Sequence, residues 1–213
     1  MTTHVATYRH VDELKQEFEQ QKDAIRRRLA EFSAIRPEAY FYELAYCLLT
    51  PQSSAANAGR AIEALQAMDL ERKPIDPAGV LREKTFYIRF HNTKADHLLK
   101  AKSQFPEIAG VLLNGQSSQE IRLWLVHNVA GLGWKEASHF LRNIGHRDLA
   151  ILDRHILKNL KKHNVLRTLP KSLTPGRYLA IEARFRNFAG SISIAMDELD
   201  LLFWSRETGE ILK

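Results

Sequence analysis

At 213 residues, with 45% hydrophobic and 26% charged side chains, the chain is long enough for one or two packed domains and far from the composition of disordered chains. Its single cysteine, Cys47, excludes an internal disulfide, a cysteine zinc cage and a cysteine-held iron–sulfur cluster. The balance of 31 basic against 25 acidic residues leaves +6, which favours a phosphate-bearing partner, and with neither a long apolar run nor a signal-peptide start the chain is expected to be soluble, intracellular and off the membrane.

Glycine and proline punctuation is sparse, and most segments carry the three-to-four residue apolar period of helices, so the fold class expected is all-α. The first helix carries Leu14, Phe18, Ile25, Leu29 and Phe32 on one stripe, with Asp12 at its start and Arg26, Arg27 and Arg28 as a solvated end. A second helix, from about Pro37 to Leu49, places Phe41, Leu44, Ala45, Leu48 and Cys47 in the core. The break Thr50-Pro51-Gln52-Ser53 opens an alanine-rich helix, stopped in the region of Lys73-Pro74 and Asp76-Pro77. Thr93 with Asp96, and Ser117 with Glu120, read as capping boxes that start two more helices. A loop over residues 168–176 then precedes two apolar stretches that meet near Ala189-Gly190, and Ser191-Ile192-Ser193-Ile194 alternates like a strand but is too short and isolated to build a sheet. Two helical subdomains are expected, residues 35–145 and residues 1–34 plus 146–213.

The segment from Val129 to Gly145 carries the chemistry. Ile121, Leu125 and Val129 mark one helix face, Ala137, Phe140, Leu141 and Ile144 another, and Gly131 and Gly133 lie between them. Both glycines permit positive φ and bare backbone amides, which suits phosphate contact at a helix N-terminus. By themselves they fit a tight helix–helix turn better than a phosphate site. Lys135 alters that balance, because it falls in the first turn of the second helix, where the dipole disfavours an ammonium ion, and a neutral lysine amine is a nucleophile. Eighteen residues on, Asp153 follows an apolar run and precedes Ile156, Leu157 and Leu160, so it reads as an N-cap; such a carboxylate also suits a cationic sugar transition state.

These residues resemble the helix-hairpin-helix superfamily of DNA glycosylases, and in detail the type-2 8-oxoguanine DNA glycosylase/AP lyases of archaea and bacteria. The resemblance extends to the stretches Phe41 to Ala55, Ile88 to Ala95 and Leu201 to Lys213. It implies two helical subdomains with the hairpin at the cleft between them. The partner implied is double-stranded DNA containing 8-oxoguanine or abasic sites, bound by a monomer in the cytoplasm or nucleoid of an archaeon or bacterium. By the family's mechanism a damaged nucleotide leaves the stack, Lys135 attacks the sugar C1′ and expels the base as a Schiff base forms, and β-elimination cuts the strand 3′ to the lesion. Asp153 would stabilise the oxocarbenium-like state, and no metal or organic cofactor is required.

The same resemblance gives Gly131 and Gly133 the DNA backbone, Trp204 and Phe90 the faces of the flipped base, and Gln52 the wedge that fills the emptied position. The terminal Lys213 would distinguish 8-oxoguanine from guanine by accepting the N7 hydrogen that guanine lacks. Phe203 reads as core, and His139, His155 and His163 form no ligand set. The missing four-cysteine cluster separates the chain from the iron–sulfur branch, and the missing N-terminal sheet from the larger eukaryotic-type enzymes. The rival readings are a helix-hairpin-helix DNA-binding protein without catalysis, with Lys135 a phosphate contact, and a glycosylase for another lesion.

Overall fold

A computed structural model describes residues 7–209, and among them the chain forms α-helices, short 3-10 turns and loops, with no strand. Two compact units can be distinguished. One is Ala34–Ile144; the other joins the chain up to Ser33 with the chain from Gly145 onward.

The second unit is built on α1 (Val11–Ser33), α8 (Arg154–Lys162), α9 (Pro175–Ile192) and α10 (Met196–Thr208). Leu14, Phe18, Ile25, Leu29 and Phe32 of α1 are all buried, and α1 packs on α10. Burying each such side chain contributes about 1.5–3 kcal/mol. Asp12 lies within the first turn of α1, where a carboxylate suits the dipole without serving as the cap. The arginine triplet lies more than a turn before the end of α1 at Ser33, and Arg26 and Arg27 are exposed to solvent as expected. Arg26 Nε also donates to Glu198 Oε1 at 2.8 Å, tying α1 to the start of α10, while Glu198 Oε2 accepts from the Ala195 amide at 3.0 Å. The Ser191–Ile194 alternation corresponds to no strand. The α9 helix runs through Gly190 to Ile192 and stops on Ser193, whose φ of 60° turns the chain, so the break falls three residues beyond Ala189-Gly190.

In the first unit a 3-10 turn at Pro37–Ala39 leads into α2 (Tyr40–Leu49), so the segment expected as one helix begins with a tighter turn. It is followed by α3 (Ala55–Ala67), α4 (Pro77–Leu81), α5 (His91–Leu112), α6 (Ser118–Asn128) and α7 (Trp134–Asn143). The α2 helix packs on α3, α5 and α7, with Phe41, Leu44, Cys47, Leu48 and Leu49 almost wholly covered. The α3 helix ends at Met68, ahead of the proline region expected to stop it. Ser117 and Glu120 form the capping box foreseen for α6. Thr93 caps nothing: α5 starts two residues earlier on His91, with Phe90 in the left-handed region as the residue before it. Thr93 therefore already lies inside the helix.

Candidate functional site

The α6–α7 hairpin is made where the sequence places it. Val129 closes α6, Leu132 N donates to Val129 O at 3.2 Å, and the buried Leu132 anchors the turn between the exposed Gly131 and Gly133. The two glycines differ. Gly131 has φ of 88° and lies against α5 so closely that an added Cβ would sit 2.3 Å from His97 Nδ1. Gly133 is extended, with φ of −87° and ψ of −179°, so positive φ is needed at one glycine only. Below the hairpin, Arg122 of α6 is buried, donates to Ser138 Oγ of α7 at 3.1 Å and holds its guanidinium 5.0 Å from the Trp134 ring centroid. This buried charge in an apolar stripe stitches the two helices together.

Helix α7 starts on Gly133 with no side-chain cap. Lys135, partly exposed in its first turn, lies with Nζ 3.6 Å from Glu136 Oε1. Glu136 escaped the sequence reading, although an acid beside a first-turn lysine is the visible signal for it.

In the other unit Asp153 is the N-cap of α8. Its Oδ1 accepts from the amides of His155 and Ile156, both at 2.8 Å, as the apolar run before it and the helix after it predict. The segment that delivers Asp153 is pinned by α9. Tyr178 Oη donates to Ala150 O at 2.6 Å and accepts from Leu152 N at 3.2 Å, and Glu182 Oε2 accepts from Ala150 N at 2.8 Å. None of these contacts with α9 has a signature in local sequence, because the partners stand 26 to 32 residues apart. The His155 ring lies 5.9 Å from that of Trp204, with Nδ1 3.3 Å from Glu207 Oε2. Asp153, His155 and Trp204 are thus gathered at the start of α8 and the facing turn of α10, while Phe203, one residue earlier, is fully buried.

The remaining candidates lie elsewhere. Gln52 is exposed in a turn with φ of 56°, and Phe90 is 51% exposed with φ of 58° and the Arg89 guanidinium 5.1 Å from its ring centroid. Lys213 lies outside the described residues. His163 is buried and stacked against Phe188 and Phe203, and His139 is buried beside Tyr46. Among the described residues no group of His, Cys, Asp and Glu side chains is arranged to hold a metal ion, and no helix is long and apolar enough to cross a membrane.

Residues 25–194 match the family profile described as 8-oxoguanine DNA glycosylase. The chain belongs to the 8-oxoguanine DNA glycosylase family. It is 38% identical to the 8-oxoguanine DNA glycosylase/AP lyase of Fusobacterium nucleatum, covering 96% of this chain and 98% of that one. A relative of the same name from Korarchaeum cryptofilum is also 38% identical, over 90% and 91% of the two chains. Among solved structures, the 8-oxoguanine DNA glycosylase of Methanocaldococcus jannaschii superposes with a TM-score of 0.84 at 33% identity, over 96% of this chain and 97% of that one. A structure of the Methanocaldococcus jannaschii glycosylase/lyase in complex with a 15mer DNA containing 8-oxoguanine gives the same TM-score at 32% identity, over 94% and 100% of the two chains. Membership in this family accounts for the helix-hairpin-helix and for the helical architecture of the described residues.

Proposed function

We propose that this protein excises 8-oxoguanine from double-stranded DNA and then cleaves the strand at the resulting abasic site, with Lys135 as nucleophile. The observation that carries the reading is an amine in the first turn of the helix that follows a glycine hairpin, in a chain with family relatives along nearly its whole length. The Lys135 amine adds to C1′ as the C1′–N9 bond breaks, and the base leaves with a proton. Ring opening yields a Schiff base. Loss of a C2′ proton then expels the 3′ phosphate, so that C–O cleavage balances the strand cut. Glu136, 3.6 Å from Nζ, is placed to receive the proton that the amine must shed.

Asp153 serves as the electrostatic partner of the cationic sugar. Both of its backbone bonds fall on Oδ1, which leaves Oδ2 without a partner among the described residues and available for that charge. Trp204 offers a face for the extruded base, the exposed glycines of the hairpin approach the DNA backbone, and Gln52 enters the duplex. The protein works as a monomer in the cytoplasm or nucleoid of a bacterium or archaeon, and Lys213 takes part in telling 8-oxoguanine from guanine.

Borohydride trapping on a duplex containing 8-oxoguanine tests the reading. The expected result is a covalent adduct and a 3′ cut. Binding without either reduces the protein to a helix-hairpin-helix binding module, and trapping on a different oxidised base alone redirects it to another lesion. Removal of Lys213 is expected to lower 8-oxoguanine excision more than cleavage at a preformed abasic site; equal losses remove Lys213 from lesion reading.

A further inference from the structure

Two exposed turns of the Ala34–Ile144 unit share an unusual property: Gln52 and Phe90 both occupy the left-handed region, at φ of 56° and 58°, without being glycine. Such conformations persist only where the surroundings over-determine them, and they cluster at binding and catalytic surfaces. A single buried side chain connects the two turns. Lys94 of α5 is 5% exposed. Its Nζ donates to Leu49 O at 2.6 Å, Pro51 O at 2.7 Å and Ser53 Oγ at 3.0 Å, three acceptors that bracket Gln52. Ser53 Oγ also accepts from Arg89 N at 3.1 Å, the residue before Phe90, and the Lys94 amide donates to Phe90 O at 3.0 Å. Asn57 Nδ2 adds a bond to Tyr87 O at 3.2 Å.

An ammonium has three N–H donors, and here each meets an acceptor. An apolar side chain at this position would take the donor from two carbonyls, those of Leu49 and Pro51, which is costly in a buried place. Burial pushes this amine down to about 8, so it is still mostly protonated at neutral pH and can fill all three acceptors.

We propose that Lys94 is a positioning residue that locks the Gln52 and Phe90 turns into one preformed edge, and that this edge opens the DNA duplex around the lesion. The inference rests on the excision reading above and adds a residue that touches no DNA. Preorganisation of this kind matters where a base must be extruded from a paired stack and not where the sugar is already accessible.

The test compares the full-length protein with Lys94→Met and Ser53→Ala on two substrates, an 8-oxoguanine duplex carrying 2-aminopurine beside the lesion and a single-stranded oligonucleotide with a preformed abasic site. Single-turnover excision from the duplex is expected to fall on the order of 10- to 100-fold in both variants. The fluorescence rise of 2-aminopurine on unstacking should fall with it, and cleavage of the single strand should lose much less. Equal losses on the two substrates, or an unchanged duplex rate and fluorescence signal in a folded variant, overturn the proposal. If Lys94→Met fails to fold, Ser53→Ala decides, because it removes only the bonds of Ser53 Oγ to Lys94 Nζ and Arg89 N and leaves the lysine bonded to both carbonyls. An inactive parent protein would instead overturn the excision reading, and this inference with it.

Discussion

Helices α7 and α8 begin in opposite ways. The first turn of α7 follows Gly133, has no side-chain cap and carries Lys135 and Glu136 side by side. The first turn of α8 is closed by its own Asp153, and the far end of that helix is fixed as well, because its C-cap His163 bonds Arg9 O through Nδ1 at 2.8 Å. A helix start that its own side chains leave open suits an external anion, whereas one that is capped internally does not. Of the two residues proposed for the chemistry, therefore, Lys135 carries little of the fold, while Asp153 caps α8 through Oδ1 and, on the proposed reading, keeps Oδ2 for the sugar. Substitutions at the two positions should separate these roles.

The largest effect belongs to Lys135→Gln. With no amine there is no Schiff base, and strand cleavage is expected to drop by more than about 10⁴-fold, with no borohydride adduct and an unchanged melting temperature. A retained adduct would move the nucleophile elsewhere and end the contrast. At α8 the pair Asp153→Asn and Asp153→Ala sharpens it. Asparagine is as good an N-cap as aspartate and keeps an oxygen for the amides of His155 and Ile156, so stability should hold while excision falls by ~10²–10⁴-fold. Alanine should lose as much activity and about 1 kcal/mol of stability in addition. Full activity in the asparagine variant, read in single-turnover excision, would leave Asp153 a cap and nothing more.

The contrast also marks how far sequence carries. The α1 stripe, the hairpin, the Ser117–Glu120 box and the Asp153 cap were legible because each depends on residues a few positions apart, whose periodicity or hydrogen bonding is local. Thr93 misled because the local pattern there was overridden by the backbone turn at Phe90, which is not a glycine. The Tyr178 and Glu182 anchors of the Asp153 segment, and the three acceptors of Lys94, join residues far apart in the chain and leave no local trace. The expectation for Gly131 and Gly133 was half right in the same way, since spacing says where a turn is but not which residue takes the positive φ.

That inequality of the glycines gives the next effect in size. Gly131→Ala must adopt φ of 88° and place its methyl 2.3 Å from His97 Nδ1, whereas Gly133→Ala keeps an extended backbone and meets only the flexible end of Glu136 at 3.0 Å. The left-handed conformation alone costs about 1–2 kcal/mol, before the His97 contact is counted. Gly131→Ala should lower the melting temperature and DNA affinity clearly more than Gly133→Ala, and adding His97→Ala should recover only the steric part. Equal effects at the two glycines would mean that the turn at α7 is set by the helices and not by its backbone.

The smallest effect concerns the closed end of α8. Burial holds the His163 imidazole below its ordinary value of 6.5, and its neutral form fits its partners: Nδ1–H donates to Arg9 O, and Nε2 accepts from Arg206 at 3.2 Å. With the folded value depressed, the unfolded chain takes up the proton first as pH falls, so this contribution to stability is complete above 6.5 and is lost between 6.5 and the lower folded value. Melting curves from pH 8 to pH 5 should therefore fall more steeply for the parent than for His163→Gln, and the difference should be smaller than the loss caused by Gly131→Ala. Identical pH slopes would show that the far end of α8 does not depend on a neutral imidazole, and the helix would then be distinguished from α7 by its Asp153 cap alone.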